Sequence, residues 1–402
     1  MPGRERSGSY VAQPGGYSAF IPRPLPPKPS LDLNRLLPGL SRADQAVGRL
    51  DGATRLLPDI DLFLAMYVRR EALLSSQIEG TDCTLDDILA FELDTPTSHI
   101  SEVDVQEVVN YVRALNFGLE RLQSLPLSSR LLREVHAILL AVGRGSDRSP
   151  GEFRVSQNWI GPPGCTLSTA AFVPPPPDEM QHGISELERY IYSTIDASAA
   201  TPLLIVSGLV HAQFETLHPF MDGNGRIGRL LITLLLCERS ILNAPVLYLS
   251  TYFKRNRTEY FDRLMNVRLK GEWEEWLGFF LRGIEGTANE AAATAQKIHL
   301  MRESHRDALE VAGGTLKDIA LLDKLFSQPL INAKWVSAAI DVTPPTANAI
   351  VTRFVKLGLL RETTGGKRNR IFRYDHYLAL FDKEVTEVAS DRTEADRCAD
   401  PT

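Results

Sequence analysis

His218-Pro-Phe-Met-Asp-Gly-Asn-Gly-Arg-Ile-Gly-Arg229 packs a base, a carboxylate, an amide, three glycines and two arginines into twelve residues. The stretch follows one apolar segment, TPLLIVSGLVHAQFETL at 201–217, and opens another, IGRLLITLLLCE at 227–238. Both segments read as helices, so the polar stretch is a loop running into a helix N-terminus. Glycines at such a start let consecutive backbone N–H groups converge on an anion, and the helix dipole adds to the attraction. Arg226 and Arg229 stand one helical turn apart and can grip different phosphates of a polyphosphate. Asp222, beside that nest, suits Mg²⁺, which neutralises the same phosphates. His218 can reach over the site and take a proton from an incoming hydroxyl.

Working outward, the period from about 59 to 290 is helical. Segments 60–78, 84–92, 102–123, 128–142, 178–195, 202–217, 226–239, 256–267 and 273–285 carry apolar residues at i, i+3, i+4 spacing. One interruption, GEFRVSQNWIGPPGCTLSTAAFVPPPP at 151–177, alternates and carries turn signals, which predicts a short β-hairpin. Residues 1–58 form a Pro/Gly-rich arm, with IPRPLPPKP at 21–29 expected to lie extended along the body and at least the first dozen residues loose. After a linker helix at 291–314, residues 315–384 read as three short helices and a hairpin, a winged helix-turn-helix. Ten Lys/Arg against five Asp/Glu make 315–375 locally +5. The acidic tail, 385–402, is expected to be flexible. The fold class is therefore mainly α, a helical core with a β-hairpin flap followed by a small winged helix-turn-helix domain.

Composition sets limits on function. The 402 residues are 44% apolar and 23% charged, and 50 acidic against 44 basic side chains leave a net charge of −6. That excludes wholesale disorder and a chain that coats nucleic acid by bulk charge. No run of about 18 apolar residues predicts a membrane span. MPGRERSGSY has no apolar core behind it, so no secretory signal is expected. Cys83, Cys165, Cys237 and Cys398 lie far apart, which suits a reducing cytoplasm.

Other readings of 218–229 fit less of the pattern. Gly223-x-Gly225-x-x-Gly228 matches a dinucleotide fingerprint, but a His-Pro-Phe loop precedes it, and the strand-like APVLYLS at 244–250 ends without an acid. A metal site from His211, Glu215 and His218 lacks a fourth ligand and the usual zinc spacing. A loop that merely caps a helix has no use for two arginines and a histidine together.

HPFMDGNGRIGR resembles the signature of Fic domains, HPFx(D/E)GN(G/K)RxxR, at every defining position, with family features over about residues 15–285. The resemblance implies a protein adenylyltransferase that moves AMP from ATP to a Ser, Thr or Tyr hydroxyl of a target protein and of itself, releasing pyrophosphate. It implies His218 as general base, Asp222 as Mg²⁺ ligand, and a phosphate cradle of Gly223, Asn224, Gly225 and Arg226 continued by Ile227 and Gly228. Arg229 becomes the γ-phosphate clamp. Relatives that phosphorylate instead typically carry Lys at the position of Gly225 and lack the second arginine.

Ser75-Ser-Gln-Ile-Glu-Gly80 resembles the family's inhibitory pattern, (S/T)xxxE(G/N), which implies Glu79 against Arg229. The competing reading is a plain helix end with Gly80 as its cap. The 151–173 segment resembles the family's target-pinning flap, with Thr169, Ala170, Ala171 and Phe172 nearest the nucleotide. Tyr260 and Arg268 align with nucleotide-side positions of some relatives, and packing explains either equally well. The 59–290 segment then becomes the Fic catalytic domain. On the C-terminal module, Arg353, Lys356, Lys367, Arg368 and Arg370 would meet DNA phosphates. A transcription regulator whose Fic domain senses nucleotide stays open as the alternative, as do a homodimer and a protein-docking role for the module.

Overall fold

The computed structural model describes residues 4–55, 57, 60–93, 101–162, 164–195, 201–366 and 368–381. Its elements run β1 (Gly8–Ala12), β2 (Ser18–Pro22), α1 (Leu33–Thr54), α2 (Ile60–Ile78), α3 (Leu85–Glu92), α4 (Glu102–Arg121) and α5 (Ser129–Leu139). There follow α6 (Pro177–Ser193), α7 (Leu203–Leu217), α8 (Asn224–Glu238), α9 (Ser250–Arg255), α10 (Arg257–Lys270) and α11 (Trp273–Val311). The last are α12 (Leu316–Leu325), β3 (Leu330–Asn332), α13 (Ala333–Ala339), α14 (Pro344–Lys356), β4 (Arg361–Glu362) and β5 (Ile371–Arg373). The chain separates into two compact units, one of residues 1–51, 71–82 and 102–289, the other of 52–70, 83–101 and 290–402. No described helix is long and apolar enough to cross a membrane.

The first unit is built around α7. Every residue from Leu204 to Leu217 is buried, because the helix is apolar on all sides and is covered by α6, α8 and α10. Helix α8 is nearly as enclosed, and α4 packs on both α5 and α8. Local chemistry sets the ends: Ser128 caps α5 through its side chain, and Pro177 opens α6 where a missing N–H costs nothing. The segment expected as an extended arm is more ordered than its composition suggested. Residues 8–22 form an antiparallel hairpin with Tyr10 opposite Phe20, and α1 starts at Leu33. Phe20 is buried, and its N–H donates to the Val173 carbonyl at 2.9 Å. A proline-rich stretch thus follows an anchored hairpin.

The expected 151–173 hairpin shrinks to a single antiparallel bridge. Ile160 and Phe172 exchange N–H···O bonds of 2.8 and 3.0 Å, with turns on either side. Proline supplies no ladder donor, so the Pro-rich ends cannot extend the pairing. Residues 244–250 form no strand and lead into α9. Helix α11 is continuous over 39 residues, so the linker expected at 291–314 is the second half of one helix. The stretch is alanine-rich and holds no proline, and Gly283 and Gly286 are tolerated within it.

In the second unit α12 starts on a capping box, Thr315 with Asp318, and α3 on another, Thr84 with Asp87. Its sheet has the order β3-β5-β4, all antiparallel, with Ile331 and Glu362 both opposite Phe372. From Leu316 the element order is helix, strand, helix, helix, strand, strand. Strand β3 was not foreseen, since three residues carry no readable period. Arg353 is partly committed internally, its Nη1 donating to the fully buried Asp318 at 2.6 Å. Lys367, Cys398 and the tail 385–402 lie outside the described residues.

Candidate active site

The twelve-residue stretch joins the C-terminus of α7 to the N-terminus of α8. His218 ends α7 in the left-handed region, φ 48°, ψ 60°, and Gly223 starts α8 at φ 75°. No side chain caps α8, so by helix geometry its first-turn N–H groups lack intrahelical acceptors. The loop's carbonyls are held from behind. His136 Nδ1 accepts from Gly151 N–H at 2.8 Å, which leaves Nε2 to donate to the Asp222 carbonyl at 3.1 Å. The same imidazole stacks on Phe220 with ring centroids 3.8 Å apart. Asn158 donates to the Phe220 carbonyl at 2.8 Å, and Asn224 brackets Phe220 by accepting its N–H and donating to its carbonyl. Asn224 is thereby spent on folding the loop. With carbonyls anchored on one side, the free N–H groups are left for the other.

Three glycines serve three purposes. Gly223 needs the left-handed conformation. A Cβ on Gly225 would overlap Oε1 of Glu79, and one on Gly228 would overlap Oε1 of Glu215. The spacing that mimics a dinucleotide fingerprint is thus set by two carboxylates that approach α8. Ile227 is an apolar core residue with no exposed surface.

Charge is concentrated here. Arg226 is 4% exposed, and its Nε and Nη1 have no hydrogen-bond partner among the described residues. Glu107 and Asp222 each lie 3.8 Å from it, too far for a hydrogen bond. Three of the five donors of Arg229 are engaged: Nε donates to Ser75 Oγ at 2.8 Å, Nη2 to the Ser75 carbonyl at 2.9 Å and to Glu79 Oε1 at 2.7 Å. Burial opposes the Arg229 charge, yet Glu79 holds its pKa above the ordinary range. Burial pushes Glu215 up to about 7, against the pull of Arg229. Burial, reinforced by Arg268 and Arg154, lowers His218 to about 3, so its imidazole is neutral. Asp222 is partly exposed, and its Oδ1 accepts only from the adjacent Gly223 N–H among the hydrogen bonds.

Tyr260 and Arg268 face inward. Tyr260 Oη bonds His211 Nε2 at 2.9 Å, and His211 Nδ1 sits 2.8 Å from the Gly228 carbonyl. Both ring nitrogens of His211 are occupied, which removes it as a metal ligand. Arg268 donates to Thr216 Oγ1 and to the Glu215 carbonyl and lies over the Phe172 ring, 4.2 Å from its centroid. Phe172 is buried beneath it. Thr169 and Ala171 are exposed and Ala170 half-buried. The sequence did not mark His136, on α5, nor single out Arg154 and Asn158 within the segment read as the flap, because a polar side chain that binds distant carbonyls leaves no local pattern.

Residues 37–120 match the Fic/DOC family N-terminal domain and residues 126–236 the Fic/DOC family domain. A probable protein adenylyltransferase of Aquifex aeolicus (strain VF5) is 35% identical over 95 residues, 24% of this chain and 26% of that protein. Protein adenylyltransferase Fic of Drosophila melanogaster is 27% identical over 213 residues, 52% of this chain and 39% of that protein. The chain thus spans about a quarter to two fifths of the length of these curated relatives. A Fic family protein from Desulfovibrio desulfuricans G20 shares the fold with a TM-score of 0.54 at 19% identity, over 85% of this chain and 95% of that one. A Fic domain containing signaling protein from Bacteroides thetaiotaomicron VPI-5482 gives 0.53 at 20%, over 64% and 96%. The matched segments include the α7–α8 loop and the turn after α2 that carries Glu79, and on these grounds the chain belongs to the Fic/DOC family.

Proposed function

We propose that the chain is a protein adenylyltransferase, moving AMP from ATP to a Ser, Thr or Tyr hydroxyl of a target protein and of itself. The observation that carries this reading is the buried guanidinium of Arg226. Two of its nitrogens lack hydrogen-bond partners among the described residues, with Glu107 and Asp222 only at ion-pair distance, beside an uncapped helix N-terminus, an arrangement that suits a phosphate. The names of the curated relatives support the choice of AMP transfer.

His218 is the general base. Its Nδ1 is sealed from solvent, so Nε2 is the nitrogen left to meet a substrate hydroxyl. Burial keeps the imidazole neutral at neutral pH, and in the tautomer protonated on Nδ1 the lone pair of Nε2 is the acceptor. The target hydroxyl oxygen attacks the α-phosphorus, its proton passes to Nε2, and the bond to the β-phosphate oxygen breaks with its electron pair leaving on pyrophosphate. Backbone N–H groups of residues 224–226 and the Arg226 guanidinium meet the charge on the phosphoryl oxygens. The base contributes roughly 10²–10⁴-fold. Asp222 fits Mg²⁺: its carboxylate is partly exposed beside the uncapped start of α8, and Mg²⁺ is commonly held by one or two carboxylates, phosphates and water. When bound, the ion neutralises polyphosphate charge. Arg229 would clamp the γ-phosphate, and its pairing with Glu79 makes this an inhibited state. The flap segment around Thr169–Phe172 would hold the target, and the 315–384 module is read as a winged helix-turn-helix.

Intact mass measured after incubation with ATP and Mg²⁺ tests the reaction class. A gain of one AMP per chain is expected, strongest in Glu79→Gly. A gain of phosphate, or no change in either protein, would overturn it.

A further inference from the structure

The catalytic histidine's backbone is held by a residue that neither motif contains. His218 is not a glycine, yet it sits at φ 48°, ψ 60°, a conformation that persists only where the surroundings over-determine it. The structure shows what does so. Arg154 is 2% exposed and stands at the N-terminal root of the flap segment. Its Nε donates to the His218 carbonyl at 2.9 Å and its Nη2 to the Leu217 carbonyl at 3.4 Å. Its own backbone N–H donates to the Pro219 carbonyl at 2.9 Å. Three consecutive carbonyls around the turn are therefore bound by one residue. Asn158 adds a second donor to the His218 carbonyl at 3.3 Å.

The other side of the guanidinium binds the flap. Nη1 donates to the Ser156 carbonyl at 3.2 Å, on the incoming root, and Nη2 to the Pro175 carbonyl, on the outgoing root. Among the described residues all hydrogen-bond partners of the side chain are carbonyl oxygens, so the buried charge has no carboxylate to satisfy. Only a planar fork of donors reaches four acceptors in these directions, and lysine's single ammonium cannot.

We propose that Arg154 is a positioning residue: it locks His218 in its left-handed conformation and ties both roots of the target-holding flap to the catalytic turn, so that the base and the docking segment keep one fixed relation. This rests on the reading of His218 as the base and extends it to how the base is aimed.

The test uses the full chain in the Glu79→Gly background, with AMP transfer to itself followed under single-turnover conditions and ATP affinity measured separately. Arg154→Lys should slow transfer by about 100-fold or more, roughly 2.7 kcal/mol, with ATP affinity within about threefold of the parent. Asn158→Asp, isosteric but lacking the amide donor, should give a smaller loss of the same kind and covers the case in which Arg154→Lys fails to fold. A crystal structure of whichever variant folds should show His218 out of the left-handed region. Transfer within threefold of the parent in both variants overturns the proposal. So does lost transfer with His218 unmoved, or with ATP affinity lost in equal proportion. If the Glu79→Gly parent itself transfers no AMP, the adenylyltransferase reading fails, and the His218 geometry in the variant crystal alone decides the positional claim.

Discussion

Arg229 and Glu79, 150 residues apart in sequence, meet at 2.7 Å inside the same unit, with the Arg229 side chain 2% exposed and that of Glu79 38% exposed. Ser75 takes two more donors of the guanidinium, so its Nε and Nη2 edge is committed internally and a phosphate reaches that edge only by displacing Glu79. This is a competition between an internal acid and an external anion for one cation.

Its first consequence is release. Solvent reaches Glu79, so the pair falls short of the roughly 3–5 kcal/mol for breaking a fully buried one, and about 1.4 kcal/mol recovered is enough for a tenfold rate. Glu79→Gly is expected to raise self-adenylylation at least ~10-fold, and adding Arg229→Ala should cancel the gain. A Glu79→Gly rate equal to wild type at saturating ATP and Mg²⁺ returns Glu79 to a helix end.

The same carboxylate accounts for Gly225. A Cβ there overlaps Glu79 Oε1, so Gly225→Ala should destabilise the protein by about 1–3 kcal/mol. In the Glu79→Gly background the penalty should largely vanish. Equal melting-temperature losses in the two backgrounds would mean that the crowding lies elsewhere.

Loss of the base should separate binding from chemistry. His218→Ala is expected to abolish transfer and leave ATP affinity within a few-fold, since the imidazole acts on the hydroxyl proton. Calorimetric ATP titration beside labelled-nucleotide transfer measures both, and full transfer in the variant removes His218 from the mechanism.

Removing the carboxylate at Asp222 by Asp222→Ala should lose activity, and EDTA should mimic this in the unmodified protein. Undiminished transfer in EDTA would dismiss the metal.

Glu215 gives a pH signature. Burial raises its folded-state pKa to about 7, so the folded state retains a proton that the unfolded chain releases near pH 4.3. The sign follows: stability from this group is full below about pH 4.3 and is lost as pH rises through about 7. Glu215→Gln should match wild type in denaturant melts near pH 5 and exceed it by about 1–3 kcal/mol near pH 8. A difference independent of pH would show that Glu215 is charged when folded.

The helices of this protein were legible in its sequence because their signals are local. Apolar spacing from Ile60 to Ile78 and from Leu203 to Leu217, with Pro177 and Ser128 at helix starts, needs no knowledge of neighbours. The grouping of His218, Asp222, Arg226 and Arg229 was legible for the same reason, since one turn and one helix end hold them together. Tertiary structure decided the rest. Whether Gly225 and Gly228 serve flexibility or make room depended on carboxylates from the turn after α2 and from α7. Whether Asn224 faces a ligand or folds the loop depended on Phe220. The aim of His218 depended on Arg154, which arrives from 64 residues away to collect carbonyls that no pattern marks as acceptors. Sequence periodicity encodes which face of an element is buried, whereas the partner that a polar group finds is fixed only when distant segments pack.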